Sequence, residues 1–326
     1  MTTTSRRSFL QRASMLPLAT AASLPSHRAT AALPSAPAKG APFFTPTLNA
    51  YSFLELLNEN MQDASKGIDL FGVVDFCARL NIPAVDLTGY FFPGYPQAPA
   101  DSYVNRMKRY VHERGIVISG TGVKNDFATA EKAVRAEGVA LTKLWIEVAA
   151  RLGAPVVRVF AGPQQKNAKD RQAAVGGASR EQVEKWMADA LHECAEHGAK
   201  FGVLVAVQNH GDFLSTGPQH LSLLQRVGHE WCGALVDTGK YFTDDPYADI
   251  SLMVPHAVNW QIKETLGSSM KSPATDFKKL AQIIHTGGYR GFVPIETLAM
   301  GRKNYDPFAE VEKALKSMRE AIASQA

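Results

Sequence analysis

The chain is short of cysteine, of long apolar runs and of the glycine patterns that hold nucleotides. Among its 326 residues, Cys77, Cys194 and Cys232 are the only thiols, and they form neither a Cys-x-x-Cys pair nor a Cys/His zinc spacing. That argues against a disulfide framework and against a thiolate metal site. All three lie among apolar neighbours, as in Val73-Val74-Asp75-Phe76-Cys77, and read as small buried residues. The apolar stretch over residues 13–24 is interrupted by Pro17, Thr20 and Ser23. It falls well below the roughly 20 apolar residues that a bilayer requires, so no stable membrane anchor is expected. No strand-like run leads into Gly-x-Gly-x-x-Gly, which argues against a dinucleotide-binding sheet, the runner-up fold.

Acidic residues are also missing from one region, residues 1–31, which carry Arg6, Arg7, Arg12 and Arg28. Those four arginines account for the whole excess of 35 basic over 31 acidic side chains, so the rest of the chain is formally neutral. A neutral body lacks the basic surface that binds nucleic acid, and a DNA-repair nuclease is disfavoured. The order Ser5-Arg6-Arg7-Ser8-Phe9-Leu10-Gln11, a mildly apolar stretch and a small-residue Ala29-Thr30-Ala31 site resemble a twin-arginine export signal over residues 1–31. Such a signal implies the twin-arginine export machinery as a partner, and a mature protein that is periplasmic or secreted. Residues 32–46 are rich in Pro and Ala and read as a tether.

From residue 47 to 326, short β-type runs alternate with longer stretches of helical periodicity. Strands are expected over 47–52, 84–88, 117–123, 156–161, 202–209, 233–237, 257–262 and 292–296. Helices are expected over 70–80, 102–114, 130–152, 180–200, 219–227, 247–255, 276–286 and 307–322. Gly115, Gly153, Gly202 and Gly287-Gly288 fall between helix and strand, where a βα repeat needs a helix stop. Eight such units in a chain of this size predict a closed (β/α)₈ TIM barrel.

In such a barrel the chemistry lies where strands end. Side chains two apart share a face. By that parity Gln208 and His210, Asp237, Gln261 and Lys263, and Glu296 come from four successive strands and converge on the mouth. Asp86, Lys124, Arg158 and Asn209 also end strands. The loop Tyr90-Phe91-Phe92-Pro93-Gly94-Tyr95-Pro96 offers rings that could stack on a sugar or form a hydrophobic lid.

The runs Val207-Gln208-Asn209-His210, Leu235-Val236-Asp237-Thr238-Gly239, Trp260-Gln261-Ile262-Lys263-Glu264 and Pro294-Ile295-Glu296-Thr297 resemble the xylose-isomerase-like sugar phosphate isomerase/epimerase barrels. The resemblance spans residues 47 to about 321. It implies one divalent cation held by Glu, Asp, His and Glu at the ends of strands five to eight, positions occupied here by Gln208, Asp237, Gln261 and Glu296. Two of the four depart from the pattern. An all-oxygen set of this kind suits Mg²⁺, Mn²⁺ or Ca²⁺ over zinc, and Mn²⁺ or Mg²⁺ is the cation expected. Gln208 cannot act as a base, so two-base epimerisation is in doubt.

The expected function is therefore proton transfer next to the carbonyl of a small neutral sugar or keto-glycoside, of the isomerase/epimerase or the eliminase/hydratase type. Glu296 and His210 are the candidate bases, and Lys263 and Lys124 the groups that polarise a carbonyl or stabilise an enolate. Asp86, Tyr90, Arg158 and Asn209 are candidate substrate contacts. The alternative is a catalytically degenerate barrel that binds a sugar or a partner protein, as two neutral amides at ligand positions suggest. Plainer roles also stand beside these: a loop cap for His210, a turn for Asp237-Thr238-Gly239, an ion pair between Lys263 and Glu264, and a hydrogen-bond acceptor for Asp86. His112, His192, His197, His220, His229, His256 and His285 fall in or at the ends of helices and read as surface or helix-end residues.

Overall fold

A computed structural model describes residues 43–162, 168–211, 213–267 and 271–325. The export signal and most of the tether lie outside the described residues. Eight parallel strands run in the order expected: β1 (Phe43–Asn49), β2 (Ala84–Thr88), β3 (Val117–Gly122), β4 (Val156–Phe160), β5 (Leu204–Gln208), β6 (Cys232–Asp237), β7 (Ala257–Gln261) and β8 (Arg290–Ile295). Within β1 to β7 each strand pairs with the next in sequence, and β1 pairs with β8. The seam between β7 and β8 is closed at its top by a bridge between Ile262 and Ile295. The Ile262 N–H donates to the Pro294 carbonyl (2.8 Å) and the Glu296 N–H to the Ile262 carbonyl (2.9 Å). The closure therefore sets Lys263 and Glu296 side by side at the mouth.

Ten α-helices among the described residues surround the strands: α1 (Leu54–Gln62), α2 (Leu70–Arg79), α3 (Asp101–Glu113), α4 (Lys132–Leu152), α5 (Ala168–Ala174), α6 (Arg180–Phe201), α7 (Gly217–Val227), α8 (Pro246–Met253), α9 (Phe277–Thr286) and α10 (Pro307–Ala323). None is long and apolar enough to cross a membrane. Gly153 and Gly202 end α4 and α6 in the left-handed conformation, at φ 81° and 68°, as their positions in the sequence suggest. Cys77, Cys194 and Cys232 are free and buried, and burial pushes the last two thiols up to about 12.

Two differences from the sequence reading stand out. β1 begins at Phe43, inside the segment read as tether, and ends at Asn49 rather than at 52. Pro46 disguises it, because proline interrupts a sheet. Yet β1 pairs with β2 only at Leu48 and Asn49, so the missing N–H falls where β1 has a single neighbour, β8. Helices α1 and α5 were not expected. Helix α1 is only nine residues long and fully buries Leu57 alone, with Leu54 and Leu56 partly buried against the core.

Candidate active site

The floor of the mouth is a polar layer. Asp86 on β2 accepts a hydrogen bond from Asn259 on β7 across the barrel interior (3.0 Å), and a Cβ at Gly120 would lie 2.6 Å from the Asp86 Oδ2. Burial raises the Asp86 carboxyl to about 6, against the pull of Arg158 and of the Asn259 hydrogen bond. Asp86 does not line the cavity above, so the substrate contact expected of it is corrected: it is a strand-end acceptor.

Above the floor, Arg158 leaves β4 through space that a side chain on Gly122 would fill, since a Cβ there would lie 2.9 Å from its guanidinium carbon. The guanidinium donates to the Val123 carbonyl (2.6 Å) and to the Tyr90 hydroxyl, and lies 4.2 Å from the Phe160 ring centroid. Lys124 places its ammonium 4.4 Å from the Tyr90 ring centroid. The aromatic loop therefore divides. Tyr90 faces the cavity, Phe92 packs on Trp145 of α4, and the Tyr95 hydroxyl accepts the Lys124 N–H (2.8 Å).

Strands β5 to β8 supply the opposite wall. Gln208 donates through Nε2 to Asp237 Oδ2 (2.8 Å) and to Gln261 Oε1 (2.6 Å), while its own Oε1 is buried with no partner. Asp237 Oδ1 accepts the Gly239 N–H (3.0 Å). The Lys263 ammonium is bonded to Glu296 Oε1 and stands 3.6 Å from Asp237 Oδ2. Burial alone would lower the Lys263 pKa, but the Asp237 and Glu296 carboxylates outweigh it and hold the ammonium above its ordinary value. Burial raises the Glu296 carboxyl, with Lys263 opposing and Asp237 adding to the rise.

These residues enclose a cavity of about 410 Å³. Of the residues singled out in the sequence, the structure brings Gln208, His210, Asp237, Gln261, Lys263, Glu296, Lys124, Arg158 and Tyr90 to its wall. Asn125, next to Lys124, and Tyr51, Phe160, Lys240 and Leu298 complete it, the last four missed by sequence reasoning. Asn209 is a correction: fully buried, it donates to the Asp237 carbonyl (2.9 Å) and accepts the Asp237 N–H (2.8 Å). Both ends of its amide are spent on holding Asp237. Lys263 and Glu264 do not pair with each other either, because Glu264 turns away to Arg302 (3.0 Å).

His210 reaches the wall but is a poor base. Its ring packs on Phe160 (4.3 Å between centroids), and burial, with Lys240, Arg158 and Lys263 nearby, drives its pKa down to about 2. The sequence reading of His210 as a candidate base therefore meets a ring that its surroundings hold neutral.

His220 corrects the surface reading of the helical histidines. Fully buried on α7, it hydrogen-bonds the Val207 carbonyl and the Tyr241 hydroxyl, each at 3.0 Å, and so ties α7 to β5 just below Gln208. Burial pushes its pKa down to about 4; His256 adds to that and the Val207 bond opposes it. The unfolded chain binds a proton near 6.5 that the native state refuses, so native stability falls as pH drops from 6.5 toward 4. His210 acts with the same sign, and Asp86, raised to about 6, with the opposite one. In His220→Gln the urea midpoint should therefore fall less steeply between those pH values than in the native chain. An unchanged slope would remove His220 from the balance.

The cation that the family resemblance implies does not fit this donor set. Asp237 Oδ2 and Gln261 Oε1 already accept the Gln208 amide, Glu296 Oε1 already accepts Lys263, and an ammonium stands between the two carboxylates. Turning the Gln208 amide over would set its oxygen against two other oxygens and forfeit both bonds. Among the described residues, no group of three or more His, Cys, Asp or Glu side chains is placed to hold a metal.

No curated protein matches the chain in sequence. Solved structures match it over most of its length. D-psicose 3-epimerase from Clostridium cellulolyticum H10, crystallised with D-tagatose, superposes with a TM-score of 0.70 at 12% identity, covering 85% of this chain and 99% of that one. The 3-keto-D-glucoside 4-epimerase YcjR from E. coli gives 0.64 at 13% identity over 85% and 99%. The IolI protein, solved with a bound zinc atom, gives 0.66 at 13% identity over 86% and 98%. At such identities the likeness establishes the fold. Residues 49–321 match the family described as the xylose isomerase-like TIM barrel, and the chain belongs to that family.

Proposed function

We propose that this barrel is an enzyme of the sugar isomerase/epimerase type, acting on a small sugar or keto-sugar by moving a proton next to its carbonyl. The observation that carries the reading is the pairing of one carboxylate, Glu296, with one ammonium, Lys263, on the wall of a cavity of monosaccharide size. Glu296 Oε2 accepts no hydrogen bond among those described, so the carboxylate can take a proton while Oε1 stays bonded to Lys263. Glu296 removes the proton from the carbon beside the carbonyl, and the electrons of that C–H bond form the enolate double bond. The carbonyl oxygen gains the negative charge, which the nearly buried Lys263 ammonium stabilises. Glu296 then delivers the proton to the former carbonyl carbon, while the hydroxyl proton of the carbon that lost its hydrogen passes to the enolate oxygen, so that the carbonyl moves by one position and a single base suffices. Tyr51, Tyr90 and Phe160 offer ring faces to the sugar, and the unpaired Gln208 Oε1 offers an acceptor for one hydroxyl. The sugar epimerases among the structural neighbours support the substrate class.

Gln208 stands where a second base would be, which favours one-base chemistry. The same enolate could expel a group from the next carbon, so lyase or hydratase chemistry is the competing outcome. The competing reading, a cation such as Mn²⁺ or Mg²⁺ held by Gln208, Asp237, Gln261 and Glu296, has the metal bound in IolI behind it and the engaged donor set of this chain against it. Export by the twin-arginine route is part of the proposal and rests on Arg6-Arg7 and the Ala29-Thr30-Ala31 site. The exported protein should begin at Ala32 by N-terminal sequencing.

The test is incubation of the mature protein with a panel of 3-keto-glycosides and free ketoses, with and without Mn²⁺, followed by NMR. Isomerised or epimerised sugar supports the proposal, and an unsaturated or hydrated product selects the lyase reading. Sugar binding with no new product on any panel member would leave the binding-protein alternative standing in its place.

A further inference from the structure

We propose that Lys263 takes the place of the divalent cation in this barrel, so that the site works without a metal. The inference rests on the assignment of this mouth as the active site, but not on the reaction it performs. Its basis is how the inward oxygens on β5 to β8 are already engaged, Gln208 Oε1 and Glu296 Oε2 excepted. Asp237 Oδ2 receives the Gln208 amide at 2.8 Å with the Lys263 ammonium 3.6 Å away. Gln261 Oε1 receives the same amide at 2.6 Å, Glu296 Oε1 is bonded to Lys263, and Asp237 Oδ1 is held by the Gly239 N–H. A divalent ion of this class needs six or more oxygens at roughly 2.0–2.6 Å. Here N–H and NH₃⁺ groups fill the space in which those oxygens would have to converge.

Charge leads to the same place. Asp237 and Glu296 contribute two negative charges and Lys263 one positive, and all three side chains are nearly inaccessible to solvent. A divalent ion added to that set would leave a buried positive excess, which is costly without further anions. A third carboxylate could balance it, and position 208 on β5, facing Asp237, is where such a group would stand. That position holds a neutral amide whose N–H points into the cluster. The glutamine at 208 and the lysine at 263 are therefore parts of one arrangement: the ammonium supplies the fixed positive charge, and the amide fills the remaining acceptors.

The test is a titration of the purified mature chain with Mn²⁺ alone, free metal being read by electron paramagnetic resonance, after overnight exposure to EDTA. The native protein should bind well under one equivalent, and the same preparation before EDTA should carry no stoichiometric metal by elemental analysis. In the double variant Lys263→Met, Gln208→Glu, which removes the ammonium and supplies the third carboxylate, one equivalent of Mn²⁺ should bind. Stoichiometric Mn²⁺ on the native chain would overturn the inference, and that arm decides the matter even if the double variant fails to fold. A folded double variant that binds no Mn²⁺ would also count against it, because the ammonium would then not be what keeps the cation out. Failure of every sugar in the panel would sink the proposed reaction while leaving this result intact.

Discussion

Glu296→Gln should lower turnover of any sugar that the native protein converts by on the order of 10²- to 10⁴-fold, the range that a positioned general base contributes. The amide keeps the size of the side chain and can still accept from Lys263, while Asp237 Oδ2, 3.6 Å from the ammonium, keeps a counter-charge beside it. Substrate affinity should change little, because the proton is taken only in the chemical step. Steady-state kinetics by NMR separate the two parameters. A loss of less than about tenfold would mean that another group is the base, and among the described residues Asp237 is the remaining carboxylate on the cavity wall.

Lys263→Met should act on the fold as much as on the reaction. Removing the ammonium leaves Asp237 and Glu296 buried without a counter-charge, and breaking a buried pair from one side costs about 3–5 kcal/mol. Urea unfolding at neutral pH should report a loss of that order. Part of it should return on acidification, as Glu296, already raised by burial, takes up a proton once Lys263 no longer opposes it. A change within about 0.5 kcal/mol, the usual range for surface substitutions, would show that the ammonium is solvated and that the pairing has no energetic content.

The barrel was legible because its strands are apolar, short and separated by helices with glycine stops. The same period-two pattern brought Gln208, Asp237, Gln261, Lys263 and Glu296 to one place. Parity also held information left unused. Asn209 lies between Gln208 and His210 and so must face away from them, into the bonds with Asp237 that the structure shows. Glu264 likewise alternates with Lys263 and turns to Arg302. On α7, His220 follows the helical spacing of the buried Gly217, Leu223, Leu224 and Val227, a signal that could have placed it inside.

Other features could not be read from pattern. Tyr51 reaches the cavity from the single helical turn Ala50–Phe53 that follows β1, and Lys240 from the loop after β6, and loops carry no period. The low basicity of His210 depends on Phe160, Lys240, Arg158 and Lys263, which meet only in the folded chain. The pairing of Lys263 with Glu296 depends on the closure of β7 against β8, a contact that neither strand's sequence announces.

The central claim is that Glu296 moves a proton beside a sugar carbonyl while Lys263 holds the charge that forms on its oxygen. Solvent exchange tests it most directly: the mature protein with EDTA, in D₂O, with methyl 3-keto-glucoside and with D-fructose, followed by proton NMR. The account predicts loss of the proton signal next to the carbonyl of at least one sugar, undiminished by EDTA and abolished in Glu296→Gln. No exchange with either sugar, or exchange that proceeds at the native rate in Glu296→Gln, would contradict it.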